Sequence, residues 1–411
     1  MESAGKNVIS VFPIRFRREH LTTYSLQHLN RTNNSIPLDN LKLLIVSHTE
    51  HYSTPDGQIV GLGPTVLEIN YLSRLYEQVI HIGVFYKNQL PNAGYVPYKN
   101  SNIYFVPIPP YGGKNLLAKL RILWLVPRII FLTLKELKKV DQFHFRAPTS
   151  MGVFLLPVLT FLTKKKGWYK YAGNWAQTNP PVSYAFQRWW LKHMQKRKVT
   201  INGRWKNLPS HCLPFENPCL ENNDIENGIE VRKKKSYKLP LTICFVGRVE
   251  SAKGINRLLE ALAQYPHPEN IKTLHVVGAG LEKKHFEQKA LEIPVQIIFH
   301  GSLNREEVFQ VYRKSHLIAL PSDSEGFPKV LAEAVNFGCI PVASNLSSIN
   351  QYITDRSGYL WNRDQETFAD FFSRLNLENG KLSKKAKQTG NIAKYFTYPR
   401  YIERIKEEII C

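Results

Sequence analysis

Two glutamates, Glu325 and Glu333, stand eight residues apart on either side of Gly326-Phe327-Pro328 in LPSDSEGFPKVLAEAVNFGCIPVAS (320–344). The segment begins as an apolar strand, breaks into a small acidic loop and resumes as a helix. One carboxylate therefore falls in a strand-to-helix loop and the other about two turns further on. Carboxylates accept hydrogen bonds from vicinal hydroxyls. A sugar nucleotide offers such hydroxyls twice, on its sugar and on its ribose, with a diphosphate between them. Gly326 and Phe327 offer backbone N–H groups at the helix start, and Pro328 suits the first helical position. FVGRVESAKG (245–254) places Arg248 just after a strand and Lys253 just before a helix. There both can converge on an anion beside helix-terminal amides and stabilise it as it leaves. VVGAGLEKK (276–284) has Gly278 and Gly280 where close backbone approach is permitted.

Such loops need strands to carry them. From LKLLIVSH (41–48) onward, short β-rich apolar runs alternate with helical stretches. VIHIGVFY (79–86), NIYFVPI (102–108), QFHF (142–145) and GWYKYAG (167–173) read as strands, with helices over 64–76 and 116–126. A second series runs LTICFVG (241–247), TLHVVG (273–278), VQIIFHG (295–301), HLIALP (316–321) and IPVAS (340–344), with a helix over 254–264. This alternation implies two Rossmann-like α/β domains in tandem, with parallel sheets covered on both faces and ligands beyond the carboxyl ends of the strands. The charged stretch 221–240 between the two series reads as a linker or loop.

Charge is unevenly placed. The 411 residues carry 55 Lys and Arg against 33 Asp and Glu, a net +22, and residues 101–200 alone hold 17 basic against 2 acidic. The clusters KELKK, TKKKGWYK and KHMQKRK each lie beside Trp, Tyr or Leu. Such a surface attracts membrane headgroups or nucleic acid, or is simply a solvated basic face. No recognisable nucleic-acid module accompanies it, so an anionic membrane is the expected partner and nucleic acid is not. The apolar stretches 122–134 and 151–162 fall short of the roughly 20 residues of a spanning helix. No secretory leader is visible, and five scattered cysteines fit a reduced compartment. A cytoplasmic protein, peripheral at the inner face of the cell membrane, is expected.

Over 241–360 the segments FVGRVESAKGINRLLEAL, LHVVGAGLE, IIFHGSLNREEVFQVYRKSHLIALPS and SEGFPKVLAEAVNFGCIPVAS follow, in order, the pattern of the retaining glycosyltransferases of family 4, which this chain resembles. The resemblance implies the GT-B fold, two Rossmann-like domains facing each other across a cleft. On it, residues 1–40 are a polar extension, 41–205 an acceptor domain, 206–392 a nucleotide-sugar domain, and 393–411 a helix returning to the first domain. It implies sugar transfer from a UDP- or GDP-linked donor with retention of configuration, without metal or other cofactor. Glu325 and Glu333 take the family's paired-glutamate positions, Arg248 and Lys253 its diphosphate-binding positions, and Gly326 and Phe327 its donor-sugar contacts. A saccharide or polyprenyl-linked acceptor, met at the membrane in surface-polysaccharide assembly, is the expectation that the basic first half adds.

The first domain resembles the family more loosely. QIVGLGPTVLEINYLSRLY (58–76) is similar to its glycine loop and first helix, with Gly61 and Gly63 near the donor phosphates. DQFHFRAP (141–148) falls where many members read D-x-x-H-x-H, but here Arg146 replaces the second histidine. His144 is then either a ligand-facing residue or a buried one satisfied by a backbone carbonyl, and Arg146 is a cation available to the diphosphate. Asn174 and Trp175, ending the strand of YAGNW, read equally as acceptor-binding or as core residues. A sugar-nucleotide epimerase of the same fold and a basic nucleic-acid-binding protein are the alternative classes.

Overall fold

The computed structural model describes residues 40–410 except Asn88, Asn92 and 112–115, with backbone alone over 116–121. Residues 1–39 of the expected extension lie outside the described residues. Apolar runs with β-branched and aromatic side chains, separated by helices, give parallel strands buried on both faces. The first series is β1 (Lys42–Ser53), β2 (Ile59–Leu62), α1 (Gly63–Leu72), β3 (Gln78–Tyr86), β4 (Tyr95–Pro97), β5 (Ile103–Ile108), α2 (Leu116–Leu137), β6 (Gln142–Ala147), α3 (Gly152–Phe161), β7 (Lys166–Tyr171), α4 (Val182–His193), β8 (Val199–Asn202) and β9 (Cys212–Phe215). These strands make one nine-stranded sheet. The order β5-β3-β1-β6-β7-β8-β9 is parallel, and β2 and β4 pair antiparallel beyond the end of β1. The boundary expected at 205/206 falls inside this sheet, because β9 pairs with β8 and carries it on to Phe215.

The second series is α5 (Asn222–Lys234), β10 (Leu241–Val246), α6 (Ile255–Ala263), β11 (Ile271–Val277), α7 (Lys283–Ala290), β12 (Gln296–Gly301), α8 (Arg305–Lys314), β13 (Leu317–Leu320), α9 (Lys329–Asn336), β14 (Ile340–Ser344), β15 (Tyr359–Trp361), α10 (Phe368–Ser373), α11 (Asn379–Ala393) and α12 (Tyr398–Ile405). Its six strands lie parallel in the order β12-β11-β10-β13-β14-β15. The expected linker over 221–240 is mostly the helix α5. Its polar composition hid the devices that hold it. Glu221 and Asp224 close a capping box, Arg232, Lys233 and Lys234 sit in the last turn where cations oppose the helix dipole, and Arg305 pairs with Asp224 from α8.

The two sheets belong to one compact unit and are joined twice. Cys219 and Leu220 donate backbone hydrogen bonds to Phe396 O, and Tyr398 donates back to Leu220 O. Through the second join α12 reaches the first sheet. Tyr401 and Ile405 pack with Leu43 and Ile45 of β1, Ile69 and Leu72 of α1, and Phe215 of β9. On the opposite face, Leu44, Val46, Phe143, Phe145, Tyr169 and Tyr171 meet Ile129, Leu155, Leu156, Leu159 and Leu191 of α2, α3 and α4. The alternation of faces along each strand thus separates two cores.

The α1/α12 face also buries charge. Arg146 of β6 and Lys170 of β7 are cross-strand neighbours, and like charges so placed repel. Glu68 of α1 lies between them. It accepts from Arg146 at 2.6 and 3.3 Å, from Lys170 Nζ at 2.7 and 2.8 Å, and from the Tyr401 hydroxyl at 2.9 Å. Burial works to raise the Glu68 carboxyl, but Arg146 and Lys170 hold it well below the usual range. Burial also pushes Lys170 down to about 7, against the pull of Glu68, because one carboxylate is shared among Lys170, Arg146 and Lys329. Removing one partner of a buried pair leaves uncompensated charge, at a cost of about 3–5 kcal/mol. Glu68→Gln is expected to lower stability by that order in chemical denaturation, and Lys170→Met in the same background to restore part of it. A Glu68→Gln protein within about 1 kcal/mol of the parent contradicts this role.

Candidate functional site

The carboxyl ends of β10, β11 and β13 carry three loops that interlock through close backbone contacts. Gly254, between Lys253 and α6, has φ +82, and a Cβ there would stand 2.1 Å from Pro321 O. Gly278 has φ +136, and a Cβ would overlap Gly247 O at 1.8 Å; at Gly280 it would meet Val249 O at 2.1 Å. Only glycine lets these turns touch. The loop from β13 to α9 is fixed further by Arg257, which donates to Pro321 O at 2.9 Å and Asp323 at 2.6 Å, by Arg363 on Asp323 at 3.1 Å, and by Ser348 Oγ donating to Glu325 O at 2.6 Å.

This scaffold brings Lys253 and Glu325 together. Lys253 Nζ stands 2.6 Å from Glu325 Oε1, with the side chains 23% and 9% exposed. Arg248 stays at the rim, 68% exposed and paired with Glu250 at 3.2 Å. Phe327 adopts φ +90, a left-handed conformation disfavoured for a bulky residue. Its ring compensates by stacking on Phe396 at 4.4 Å and meeting Tyr352 edge-on at 4.8 Å. Pro328 caps α9 instead of occupying its first position, which is taken by Lys329. Glu333, in the middle of α9, accepts from the Tyr312 hydroxyl at 3.3 Å. Burial raises its carboxyl above the ordinary 4.5, opposed by Arg305 and Lys329.

The first sheet meets the same loop from the other side. Asn202 of β8 donates to Gly326 O, and a Cβ on Gly326 would stand 3.1 Å from Ala172 O. Asn174 lies 3.4 Å from Ser324 Oγ, next to Glu325 in the chain. Lys329 Nζ is 3.5 Å from Pro64 O at the start of α1. Gly63, the first residue of α1, packs on Gly94, whose carbonyl a Cβ would approach to 2.7 Å; a Cβ on Gly61 would strike the His51 ring at 2.5 Å.

One expected ligand contact, Arg146, is placed differently, and the two readings left open for His144 and Trp175 are decided for the buried one. Arg146 commits its guanidinium to Glu68 and is unavailable to a diphosphate. His144 is wholly buried and stacks on Trp168 at 4.3 Å. Of its two readings it is the buried residue: it does not face the cleft, and its ring nitrogens complete no hydrogen bond in good geometry, with the Trp168 backbone carbonyl pulling only weakly on the ring. Burial, reinforced by Arg146, keeps its ring neutral. Trp175 is a core residue, edge-on to Tyr171 at 5.0 Å. Glu68, Lys170 and Lys329 were passed over in the sequence. A lone charge inside the apolar strand GWYKYAG and another inside the helix PTVLEINYL were the available signals, since a buried charge demands a partner.

Residues 227–394 match the family model described as glycosyl transferases group 1. Curated relatives include an uncharacterized glycosyltransferase of Haemophilus influenzae, 37% identical over 121 residues (28% of this chain, 33% of the relative). Another is a D-inositol 3-phosphate glycosyltransferase of Rhodococcus jostii, 27% identical over 176 residues (40% of this chain, 39% of the relative). The chain spans about a third of the length of the curated relatives it matches. Among solved structures, Anabaena HepE in complex with UDP and glucose is similar with a TM-score of 0.63 at 17% identity, over 90% of this chain and 99% of that one. Sucrose-phosphate synthase from Thermosynechococcus elongatus gives 0.65 at 14% identity, over 90% and 98%. The fold is GT-B, an α/β architecture with two parallel sheets.

Because Gly254 lets the Lys253 turn reach the Glu325 loop, Gly254→Ala is expected to separate them and to cost about 1–3 kcal/mol of strain in the left-handed conformation alone. Thermal denaturation reads the loss, and an unchanged midpoint would show that the loops do not depend on this contact.

Proposed function

We propose that this protein is a retaining glycosyltransferase that moves a sugar from a uridine- or guanosine-diphosphate donor to a saccharide or lipid-linked acceptor. The proposed setting is surface-polysaccharide assembly at the inner face of an anionic membrane. The observation that carries the reading is the Lys253–Glu325 contact at 2.6 Å, in a loop that the first sheet touches through Asn174 and Asn202. It sets an acceptor for sugar hydroxyls beside a cation for phosphate at the junction of the two sheets. The group 1 match over the second sheet and the UDP-bound HepE relative support a nucleotide-sugar donor.

Lys253 shifts from Glu325 toward the incoming diphosphate, where the exposed Arg248 at the rim joins it. Glu325 is then left to accept from the sugar hydroxyls, and Glu333 from the ribose. As the bond from the sugar carbon to the phosphate oxygen breaks, the two cations stabilise the charge that develops on the leaving diphosphate. The acceptor hydroxyl forms its bond on the same face, and its proton passes to a phosphate oxygen of the leaving group. Charge is balanced by arginine and lysine, and the scheme uses no metal.

Incubation with UDP- and GDP-sugars and candidate acceptors, followed by NMR of the product anomer, tests this reading. Acceptor-dependent release of nucleotide with retained configuration is expected, and epimerised donor without transfer would replace it by the epimerase. Glu325→Ala should lower kcat more than donor affinity. Glu333→Ala should weaken donor binding tenfold or more, since each lost hydrogen bond to a charged group contributes about 1.5–3 kcal/mol. Intact turnover in Glu325→Ala sinks the role given to that residue.

The raised Glu333 carboxyl adds a pH dependence. Only the ionised form accepts from both ribose hydroxyls, so donor affinity is full above its pKa and falls as the pH drops through it. Calorimetric titration should show the fall beginning at higher pH than an ordinary glutamate would give, and Glu333→Gln should flatten it. The same slope in both proteins would assign the proton elsewhere.

A further inference from the structure

We infer that the outer face of the α2–α3–α4 layer is a docking surface for an anionic lipid bilayer. The inference deepens the membrane-presented acceptor proposed above and rests on that reading only for its purpose, not for its test. The crossovers β5-α2-β6, β6-α3-β7 and β7-α4-β8 all advance toward β9, so the right-handed rule sets the three helices side by side on one face of the first sheet. Their inner residues fill the core beneath. Their outer residues are apolar where a water-facing layer would be polar. Trp124 is 88% exposed and Phe131 69%, seven residues apart on α2; Phe161 and Leu162 at the end of α3 are each 65% exposed. Helix α3, GVFLLPVLTF, contains no charged residue at all. Phe161 meets Trp190 of α4 edge-on at 5.7 Å, beside the half-exposed Trp189, so the patch runs from α3 onto α4.

Charge identifies the occupant. Arg128 and Lys135 of α2 share the exposed side with Trp124 and Phe131, and Lys164, Lys166, Lys196 and Lys198 follow the ends of α3 and α4. These six form no ion pair among the described residues. The two carboxylates of residues 101–200 are already engaged. Glu136 is buried against Lys139 at 2.8 Å, and Asp141 accepts from Lys42 N at 2.8 Å. Exposed aromatics set among unpaired cations fit the headgroup region of an anionic leaflet, the aromatic rings at the interface and the ammonium groups at the phosphates. No helix among the described residues is long and apolar enough to cross a membrane, so the contact is interfacial. The surface also leads to the site. The loop carrying Asn174 runs directly into α4, and a groove of ≈ 490 Å³ lined by Trp175, Arg188, Trp189, Lys192 and His193 lies along it. An acceptor held in the bilayer would approach by that route.

The test uses the full chain with vesicles of phosphatidylcholine alone or mixed with phosphatidylglycerol, at low and high salt. Sedimentation should show binding at least tenfold stronger to the anionic vesicles at low salt, and brominated lipid should quench tryptophan fluorescence. Trp124→Ser with Phe161→Ser, and separately Lys164→Glu with Lys166→Glu, should each reduce vesicle binding about tenfold while UDP-induced thermal stabilisation stays at the parent level. Vesicle binding unchanged by both pairs, no binding to anionic vesicles, or a dimer in solution that Trp124→Ser abolishes would each overturn the proposal, the last by giving the face to a second copy. Vesicle binding that follows these variants in a protein with no transferase activity would uphold the surface and remove only the reading of the reaction.

Discussion

A single buried carboxylate governs how the elements of this chain can be assembled. Two cations on adjacent strands, Arg146 and Lys170, face the same side of the first sheet, where water is excluded and a sheet would ordinarily hold apolar side chains. Glu68 makes that possible, and in doing so it draws in Tyr401 of α12. Lys329, at the first position of α9, is held down by burial and partly restored by the same carboxylate. The first helix of the first series, the helix that closes the chain and the helix that bears Glu333 thus share one electrostatic centre. A hydrophobic plug of equal volume would be no less stable in principle. What the charged arrangement does is tie elements far apart in sequence to one carboxylate.

The site is held by a different means. Loops bearing Arg248, Lys253, Gly278 and Glu325 touch backbone to backbone, at separations that a methyl group would close. Arg257 and Arg363 brace that geometry from outside, and within it Lys253 and Glu325 are brought face to face. Phe327 shows the cost, with a left-handed backbone retained under the stacking of Phe396 and Tyr352. Because Phe396 belongs to the second join between the sheets, the strained residue of the loop and the crossing of the chain are packed into one aromatic cluster.

Much of the second sheet was legible in the sequence, since strands buried on both faces read as continuous apolar runs and their loops carry glycines and charges at fixed offsets. The strands that bear Arg248, Gly278 and Glu325 are of this kind. What was hidden depended on partners distant in the chain. Arg146 looked free because Glu68, its partner, precedes it by 78 residues. His144 stood between a ligand-facing and a buried role because nothing local announces the Trp168 ring that covers it. Helix α5 looked like a linker because its stability comes from caps and from Arg305, and composition weighs neither. In α2 the apolar pattern marked a helix over 116–126, and at α3 it marked only an apolar stretch too short to span a membrane; neither pattern could say which face the core would leave uncovered.

The account stands on the junction of the two sheets being a nucleotide-sugar site organised by Lys253 and Glu325. The most direct measurement is a crystal structure with a UDP-sugar bound. Diphosphate against Lys253 and Arg248, sugar hydroxyls on Glu325 and ribose on Glu333 is the predicted result. A nucleotide seated instead in the outer groove between Arg257, Trp361 and Glu366, with Lys253 still joined to Glu325, would contradict it.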